Sequence, residues 1–497
     1  MHRRRFYGSL SVSTHCELSI PVQKNMHPDS EPRRSTLAFV HRLLSRIVEV
    51  KPHETTAMLC GFAYFFCLLC GYYLLRPLRD AMGLVGGVDN LQWLFSATFV
   101  SMLLLVPVFG IIATRWPPRR FIPYVYRFFA INALIFGALF ATGIAEVAVS
   151  RVFFVWLSVF NLFVISIFWS VIADNFKSEQ GTRLFGFIAA GGTVGALVGP
   201  ALAASLVVQF GVVVLTVIAA VLLELAVQCY RRLERTGPNR SVALNHESGA
   251  KPLAHVSESS GQDGRIGGGI FSGITLILQN RYLLGIVLYM LLHTFASTFL
   301  YFEQGRIVAT TLSDTASRTQ LFAIVDLAVS CLTIVLQLFV TGRFIRSFGV
   351  VAALILLPVV GMIALGGIAL WPTLFVLVAA QGLRRSVDYA IVRPGREILF
   401  TVVSREAKYK AKNVIETVVY RGGDAVSGWI FAGLSALGIG FSGIAIIFVP
   451  LTAIWAALAA WLGKQQEHQA NDSADNTSVT VRNAGMKKGL SNETGVI

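Results

Sequence analysis

The chain has 497 residues, 55% of them apolar and 14% charged, with a mean hydropathy of +0.65. That balance excludes an ordinary water-soluble enzyme, in which about a quarter of residues are charged. The formal charge of +15 comes from 42 Lys and Arg against 27 Asp and Glu, but the basic residues cluster between apolar runs, so the expected partner is a lipid bilayer and not a nucleic acid.

The first 56 residues are polar and basic and read as a cytoplasmic tail. MHRRRFYGSLSVSTHCELS has no continuous apolar core before a small-residue cleavage site, so it is not a signal peptide. Val40, Leu43, Leu44, Ile47 and Val48 recur at helical spacing opposite His41, Arg42, Ser45 and Arg46. The pattern fits either a helix lying on the membrane interface or a frayed linker.

Crossing the hydrocarbon layer takes about 20 helical residues, because lipid offers no partner to an open backbone amide. Six apolar runs of that size are predicted at 57–75, 91–113, 121–143, 152–173, 184–209 and 210–230. Six more are predicted at 283–303, 321–341, 349–370, 372–393, 414–436 and 438–462. Residues 231–282 are rich in Gly, Ser, Asn and charge and read as a cytoplasmic linker; 463–497 read as a disordered cytoplasmic tail. The expected fold is therefore an all-α membrane protein of twelve transmembrane helices in two six-helix bundles, 57–230 and 283–462. Segments on the N-terminal side of the membrane carry 32 Lys and Arg and those on the other side 5, which places both termini in the cytoplasm. The short connections alone keep that sign, at 12 against 5.

A weak internal repeat supports two related halves. At an offset of 231, Arg115 falls on Arg346, Lys177 on Lys408, and Gly191-Gly192 on Gly422-Gly423.

Soluble-enzyme signatures such as GxxxxGK[ST], HExxH and GxSxG are missing, and no cofactor or metal is expected. Cys67 and Cys70 have redox or zinc spacing but sit in an apolar helix with no neighbouring ligand, so they read as packing thiols. The chemistry must then come from ionisable side chains inside the spans, which are costly there and face a cavity or a partner.

The tenth span places Arg384, Arg385 and Asp388 near mid-membrane, with Arg393 at its cytoplasmic end. Adjacent arginines point about 100° apart on a helix, so Asp388 cannot neutralise both. They either face a water-filled cavity or are tied to other carboxylates. The eleventh span carries Glu416, Tyr420, Arg421 and Asp424; Arg421 and Asp424 suit a structural pair, a gate latch or a solute ligand. At the end of the first span, Arg76, Arg79 and Asp80 surround the helix-interrupting Pro77, an arrangement suited to anion capture or to snorkelling toward the interface. Arg127 in the third span is a further candidate cavity charge. Asp388, Asp424, Asp326 and His293 are the titratable candidates for proton coupling, and His293 also suits plain packing. Glu224 and Glu303 lie near span ends, within reach of water.

LLRPLRD at 74–80, FWSVIADNF at 168–176, RLFGFIAAGGTVGALVGP at 183–200 and KAKNVIETVVYRGGDAVSGW at 410–429 together resemble the ATP/ADP translocase (NTP/NDP exchange transporter) family of the major facilitator superfamily. The resemblance covers most of 57–462 and implies twelve helices and exchange of nucleotides across a membrane. It puts that family's Leu-Arg-x-x-Lys-Asp pattern on Leu75, Arg76, Arg79 and Asp80, with arginine in place of the lysine, and leaves no carboxylate at 157–161 where the family has one. GALVGPALAA at 195–204 is similar to an antiporter motif of proton-driven exporters, and GIIATRWPPRR at 110–120 is similar to the superfamily's basic loop with Thr114 in place of its aspartate.

The sequence thus predicts an inner-membrane secondary transporter with a midplane site. Arg76, Arg79, Arg127, Arg384, Arg385 and Arg421 are the candidate ligands for a small anionic, nucleotide-like or phosphorylated solute. Asp80, His293, Asp326, Asp388 and Asp424 are the candidates for gating or proton coupling. The competing readings are a proton-driven exporter of a neutral or cationic molecule and a non-transporting sensor or scaffold. Oligomeric state is not legible.

Overall fold

The first four helices of the computed structural model, α1 (Thr55–Met82), α2 (Leu91–Arg115), α3 (Pro118–Thr142) and α4 (Glu146–Asn175), match the first four predicted spans and extend each. The structure describes residues 49–52, 54–176, 178–236 and 270–493, so the helix considered at 37–48 and most of the predicted linker lie outside the described residues. From residue 53 onward the chain forms one unit.

Two long helical stretches each hold two spans. Ser178–Thr236 breaks at Gly211 (φ 76°, ψ 178°), giving α5 (178–210) and α6 (211–236). The stretch Thr315–Leu370 breaks at Gly349 (φ 76°, ψ 179°), giving α8 (315–348) and α9 (349–370). Both glycines sit at a positive φ that residues with a Cβ rarely adopt, which lets the chain turn back into the membrane without a loop. Between these pairs lies α7 (Arg281–Thr311). The side chain of Asn280 caps α7, and the Ser317 N–H donates to Asp314 Oδ2 at 2.7 Å at the start of α8, which holds the Asp314 carboxyl below its usual range.

Eight helical stretches among the described residues are long and apolar enough to cross a membrane, and these contain ten of the predicted spans. The remaining two, α10 and α11, carry buried charges of their own, Arg384, Asp388 and Asp424, and are interrupted by π-helical turns, as α8 is at Gln337–Thr341. α10 consists of Leu374–Val387, the π-turn Asp388–Val392 and Arg393–Leu399. α11 consists of Arg405–Val414, the π-turn Ile415–Val419 and Tyr420–Ala436. The last helix, α12 (Phe441–Glu493), completes the twelve spans in two sets of six.

Three boundaries differ from the sequence expectation. α6 runs to Thr236, and a short amphipathic helix, Ile270–Gln279, precedes α7, so the linker is shorter than 231–282. α12 continues to Glu493 where a disordered tail was expected from 463; no proline follows Pro450 in this stretch, and His468 pairs with Asp472 one turn on at 2.8 Å. α10 and α11 extend toward each other beyond the predicted limits, because their amphipathic ends are helical outside the apolar core.

In the first half, α5 lies directly on α1. A methyl group on Gly195 would come within 2.8 Å of the backbone N of Cys70 and O of Phe66, and one on Gly199 within 2.7 Å of the Cys70 carbonyl. The glycine stripe that resembles an exporter motif therefore serves close helix packing. In the second half, Gly423 of α11 lies against Thr294 and Leu291 of α7. Since Gly191-Gly192 lies against Phe62, Phe65 and Leu69 of α1, the sequence repeat at this position corresponds to the same contact in both halves. Cys60, Cys67, Cys70, Cys229 and Cys331 are free thiols, and no group of metal ligands occurs among the described residues.

The halves meet tightly at the end of the molecule away from the chain termini. There Trp93 of α2 stands edge-on to Trp429 of α11 at 4.7 Å, and the Trp429 indole N–H donates to Ser96 Oγ at 2.9 Å. Phe95 packs against Tyr301 and Phe302 of α7, and Gly305 lies against Leu84 and Leu91. Toward the opposite end a wider space opens between the halves, lined by α1 and α5 on one side and by α8 and α10 on the other.

Candidate functional site

Between the closed end and the wider end lies a cavity of about 170 Å³, lined from both halves by Arg76, Arg79 and Asp80 of α1, Asp326 of α8, Arg384, Arg385 and Asp388 of α10, and Arg421 and Asp424 of α11. His293 and Tyr301 of α7 complete its wall. A wider vestibule of about 780 Å³ continues toward the terminus-bearing end, past Arg393, Pro394 and Glu397. Arg76, Arg79, Arg385, Tyr389, Tyr420 and Arg421 line both spaces and form the throat between them.

Every predicted site residue except Arg127 reaches this cavity. Arg127 sits on the seam between α3 and α6, where its Nη2 lies 2.9 Å from Glu224 Oε1 and both side chains are about two-fifths exposed. The expectation of a buried cavity charge therefore fails for Arg127, because hydropathy says nothing about which face of α3 a residue occupies. Glu303, expected to reach water, is instead buried, with Arg306 Nη1 at 3.5 Å.

The ion pairs divide the charges unevenly. Asp326 is shared by two arginines: Arg385 Nη2 is 2.6 Å from its Oδ1, and Arg76 Nε is 3.7 Å from its Oδ2, so this carboxylate links the two halves. Arg79 Nη2 donates to Asp80 Oδ1 at 2.6 Å and its guanidinium also lies 4.9 Å over the Phe154 ring. Arg421 reaches Asp424 only at 3.9 Å, while the Thr298 hydroxyl donates to Asp424 at 3.3 Å. Asp388 has its nearest ion-pair partner in Arg393 at 3.9 Å, a residue half exposed in the vestibule and stacked over Tyr389 at 4.4 Å.

Arg384 is the exception. It is only 7% exposed, and among the described residues no carboxylate oxygen lies within 4.0 Å of its guanidinium. Its one hydrogen bond among the described residues, from Nη2 to Gln381 Oε1, is long at 3.4 Å, and its buried Nε finds no acceptor among them. Gln381 is itself held by α7, its amide donating to Gln304 Oε1 at 2.9 Å and to the Leu300 carbonyl at 3.2 Å. Asp388 Oδ1 and His293 Nδ1 are also buried without a partner. Buried polar atoms are rarely left unpaired in folded proteins, and the cavity wall gathers several.

Sequence reasoning missed Gln381, Gln304, Thr298 and Tyr301. Each is a polar side chain at mid-span, so extending the search from charges to hydrogen-bonding groups would have found them. The π-turns, one beginning at Asp388 three residues after Arg385 and the other ending just before Tyr420-Arg421, have no signature in the sequence.

A family model for the Major Facilitator Superfamily matches residues 57–383. No curated protein matches. Among solved structures, the chain is similar to a bacterial homolog of the human lysosomal transporter Spinster, described as inward-facing and unoccupied (14% identity, TM-score 0.55, covering 84% of this chain and 99% of that one). It is similar to the nucleoside transporter NupG (11% identity, TM-score 0.55, 83% and 99%) and to a POT family transporter bound to a thioalcohol-conjugated peptide (11% identity, TM-score 0.56, 82% and 96%).

Proposed function

Because the chain belongs to the Major Facilitator Superfamily, we propose that it is a secondary transporter that carries a small anionic solute by alternating access, with Arg384 as the residue that most requires the anion. The supporting observation is the Arg384 guanidinium, buried at the boundary between the halves with no carboxylate within 4.0 Å among the described residues. An arginine uncompensated at bilayer depth costs about 2.5 to 3.5 kcal/mol even on the lenient insertion scale. An anionic ligand removes that cost, and Arg76, Arg79, Arg385 and Arg421 stand around the same cavity to share it.

In this reading the solute enters through the vestibule, and closure of that end with parting of the Trp93 and Trp429 end passes it across. The excess of Lys and Arg on the terminus-bearing side supports a vestibule on the cytoplasmic face of the membrane. Asp80, Asp326, Asp388 and Asp424 hold their arginines apart when the cavity is empty, and His293 or Asp388 would take the proton if transport is proton-coupled. The resemblance of 74–80 and 410–429 to ATP/ADP translocases adds nucleotides and phosphorylated compounds to the candidate solutes. The competing reading, a proton-driven exporter of a neutral or cationic molecule, draws on the glycine motif of α5, which packs on α1.

Reconstituted into liposomes, the protein should take up a labelled anion by counterflow, and Arg384→Ala and Arg385→Ala should each remove that uptake. If both variants take up every tested anion as the wild type does, the site assignment is wrong.

A further inference from the structure

The charge inventory of the cavity goes further and selects the valence of the solute. Its wall holds five arginines, Arg76, Arg79, Arg384, Arg385 and Arg421, and four aspartates, Asp80, Asp326, Asp388 and Asp424, a formal surplus of one positive charge. Within 3.9 Å, Asp80 meets Arg79, Asp424 meets Arg421 and Asp326 is shared by Arg385 and Arg76, while Asp388 is met only from the mouth by Arg393; among the described residues Arg384 is the wall arginine with no carboxylate within 4.0 Å. Arg393, which serves Asp388, is half exposed in the vestibule and belongs to the solvated mouth.

We infer that the cavity is built for a compact organic anion carrying a single charge, a monocarboxylate, and against dianions and nucleoside di- or triphosphates. This rests on the anionic-solute reading above and narrows it.

Three observations carry the inference. A monoanion brings the formal charge of the cavity wall to neutrality. A dianion leaves it as far from neutrality as the empty cavity, with the opposite sign, and a nucleotide leaves it strongly negative next to four buried carboxylates. Second, the inner cavity of about 170 Å³ is smaller than the roughly 300 to 1,000 Å³ of pockets that enclose drug-sized ligands. Third, the rest of the wall suits one anionic head on a small, partly apolar body. Phe95, Phe154, Phe322 and Tyr301 supply ring surface, and Gln381 orients the Arg384 fork that a carboxylate accepts in bidentate fashion.

The test is equilibrium binding to purified protein in nanodiscs, with benzoate, succinate, inorganic phosphate, ADP, ATP and neutral benzamide as probes, on the wild type, Arg384→Gln and Asp424→Asn. Asp424→Asn keeps the shape and the acceptor for Thr298 but raises the surplus to two. The expected result is that benzoate binds the wild type at least tenfold more tightly than succinate or either nucleotide, that Asp424→Asn moves the benzoate-to-succinate ratio at least tenfold toward succinate, and that Arg384→Gln loses benzoate. Thermal unfolding of each variant without ligand verifies that it is folded. Tighter binding of succinate, ADP or ATP than of benzoate by the wild type would overturn the single-charge inference while leaving the anionic reading standing. Failure of all the anions to bind would overturn both.

Discussion

Tyr301 of α7 donates its hydroxyl hydrogen to Oδ1 of Asp80 in α1 at 3.1 Å, on the same oxygen that accepts from Arg79. This hydrogen bond crosses from one six-helix half to the other just inside the closed end. Tyr301→Phe removes it and leaves the ring packing of Tyr301 against Phe95 and Phe302 in place. A hydrogen bond to a charged group is worth about 1.5 to 3 kcal/mol, so the variant should raise the population open at the Trp93 and Trp429 end roughly tenfold or more. Distance distributions between spin labels in the 83–90 and 312–314 loops would report the change as a longer component. Unchanged distances would remove this bond from the gate.

Asp326 depends on Arg385. With Arg385→Gln the buried carboxylate retains only Arg76, 3.7 Å away. Breaking a buried pair from one side costs about 3 to 5 kcal/mol, because the remaining charge is stranded. The unfolding temperature of Arg385→Gln should fall sharply, and Arg385→Gln/Asp326→Asn should recover most of the loss without recovering uptake. Equal instability of the double variant would mean that the pair is not what holds these helices.

The surplus charge also bears on how the carrier returns. Closing an empty, positively charged cavity requires dehydrating an uncompensated guanidinium, whereas the loaded cavity is neutral. The loaded protein should therefore reorient faster than the empty one. Efflux of a preloaded anion should accelerate several-fold when unlabelled anion is present on the far side. Equal rates with and without it would show that the empty carrier pays no such cost.

The glycine stripe gives a stability contrast within one helix. Gly195→Ala places a methyl group against two backbone atoms of α1 that cannot yield without moving the helix, and should destabilise by about 1 to 3 kcal/mol. Gly186→Ala, on the same helix with nothing within 4 Å, should be stabilising by roughly 0.5 to 1 kcal/mol through helix propensity. Thermal unfolding in detergent compares the two directly, and a neutral Gly195→Ala would refute the close α1–α5 contact as a source of stability.

Most of the architecture was legible because lipid imposes one dominant requirement, a run of apolar residues long enough to cross it. That requirement fixes number and depth but not azimuth. Arg384 and Arg127 looked alike by hydropathy, yet one faces the interface between the halves and the other faces Glu224 on an outer seam. The pairing scheme was likewise hidden, since Arg385 is neutralised by Asp326 of α8, far away in sequence, and not by Asp388 one turn along. The ends of α10, α11 and α12 were misjudged because amphipathic helix outside the membrane carries no hydropathy signal.

The central claim, that the cavity between the halves holds an anion on Arg384, is tested most directly by locating 4-bromobenzoate in crystals of the protein from the anomalous signal of its bromine. The account predicts a bromine peak inside the cavity bounded by Asp326, Tyr301 and Asp424, with the carboxylate about 2.7 to 2.9 Å from the Arg384 guanidinium, and loss of that peak in Arg384→Gln but not in Arg127→Gln. A saturating ligand found elsewhere on the protein, or a peak in the cavity that survives Arg384→Gln unchanged, would contradict it.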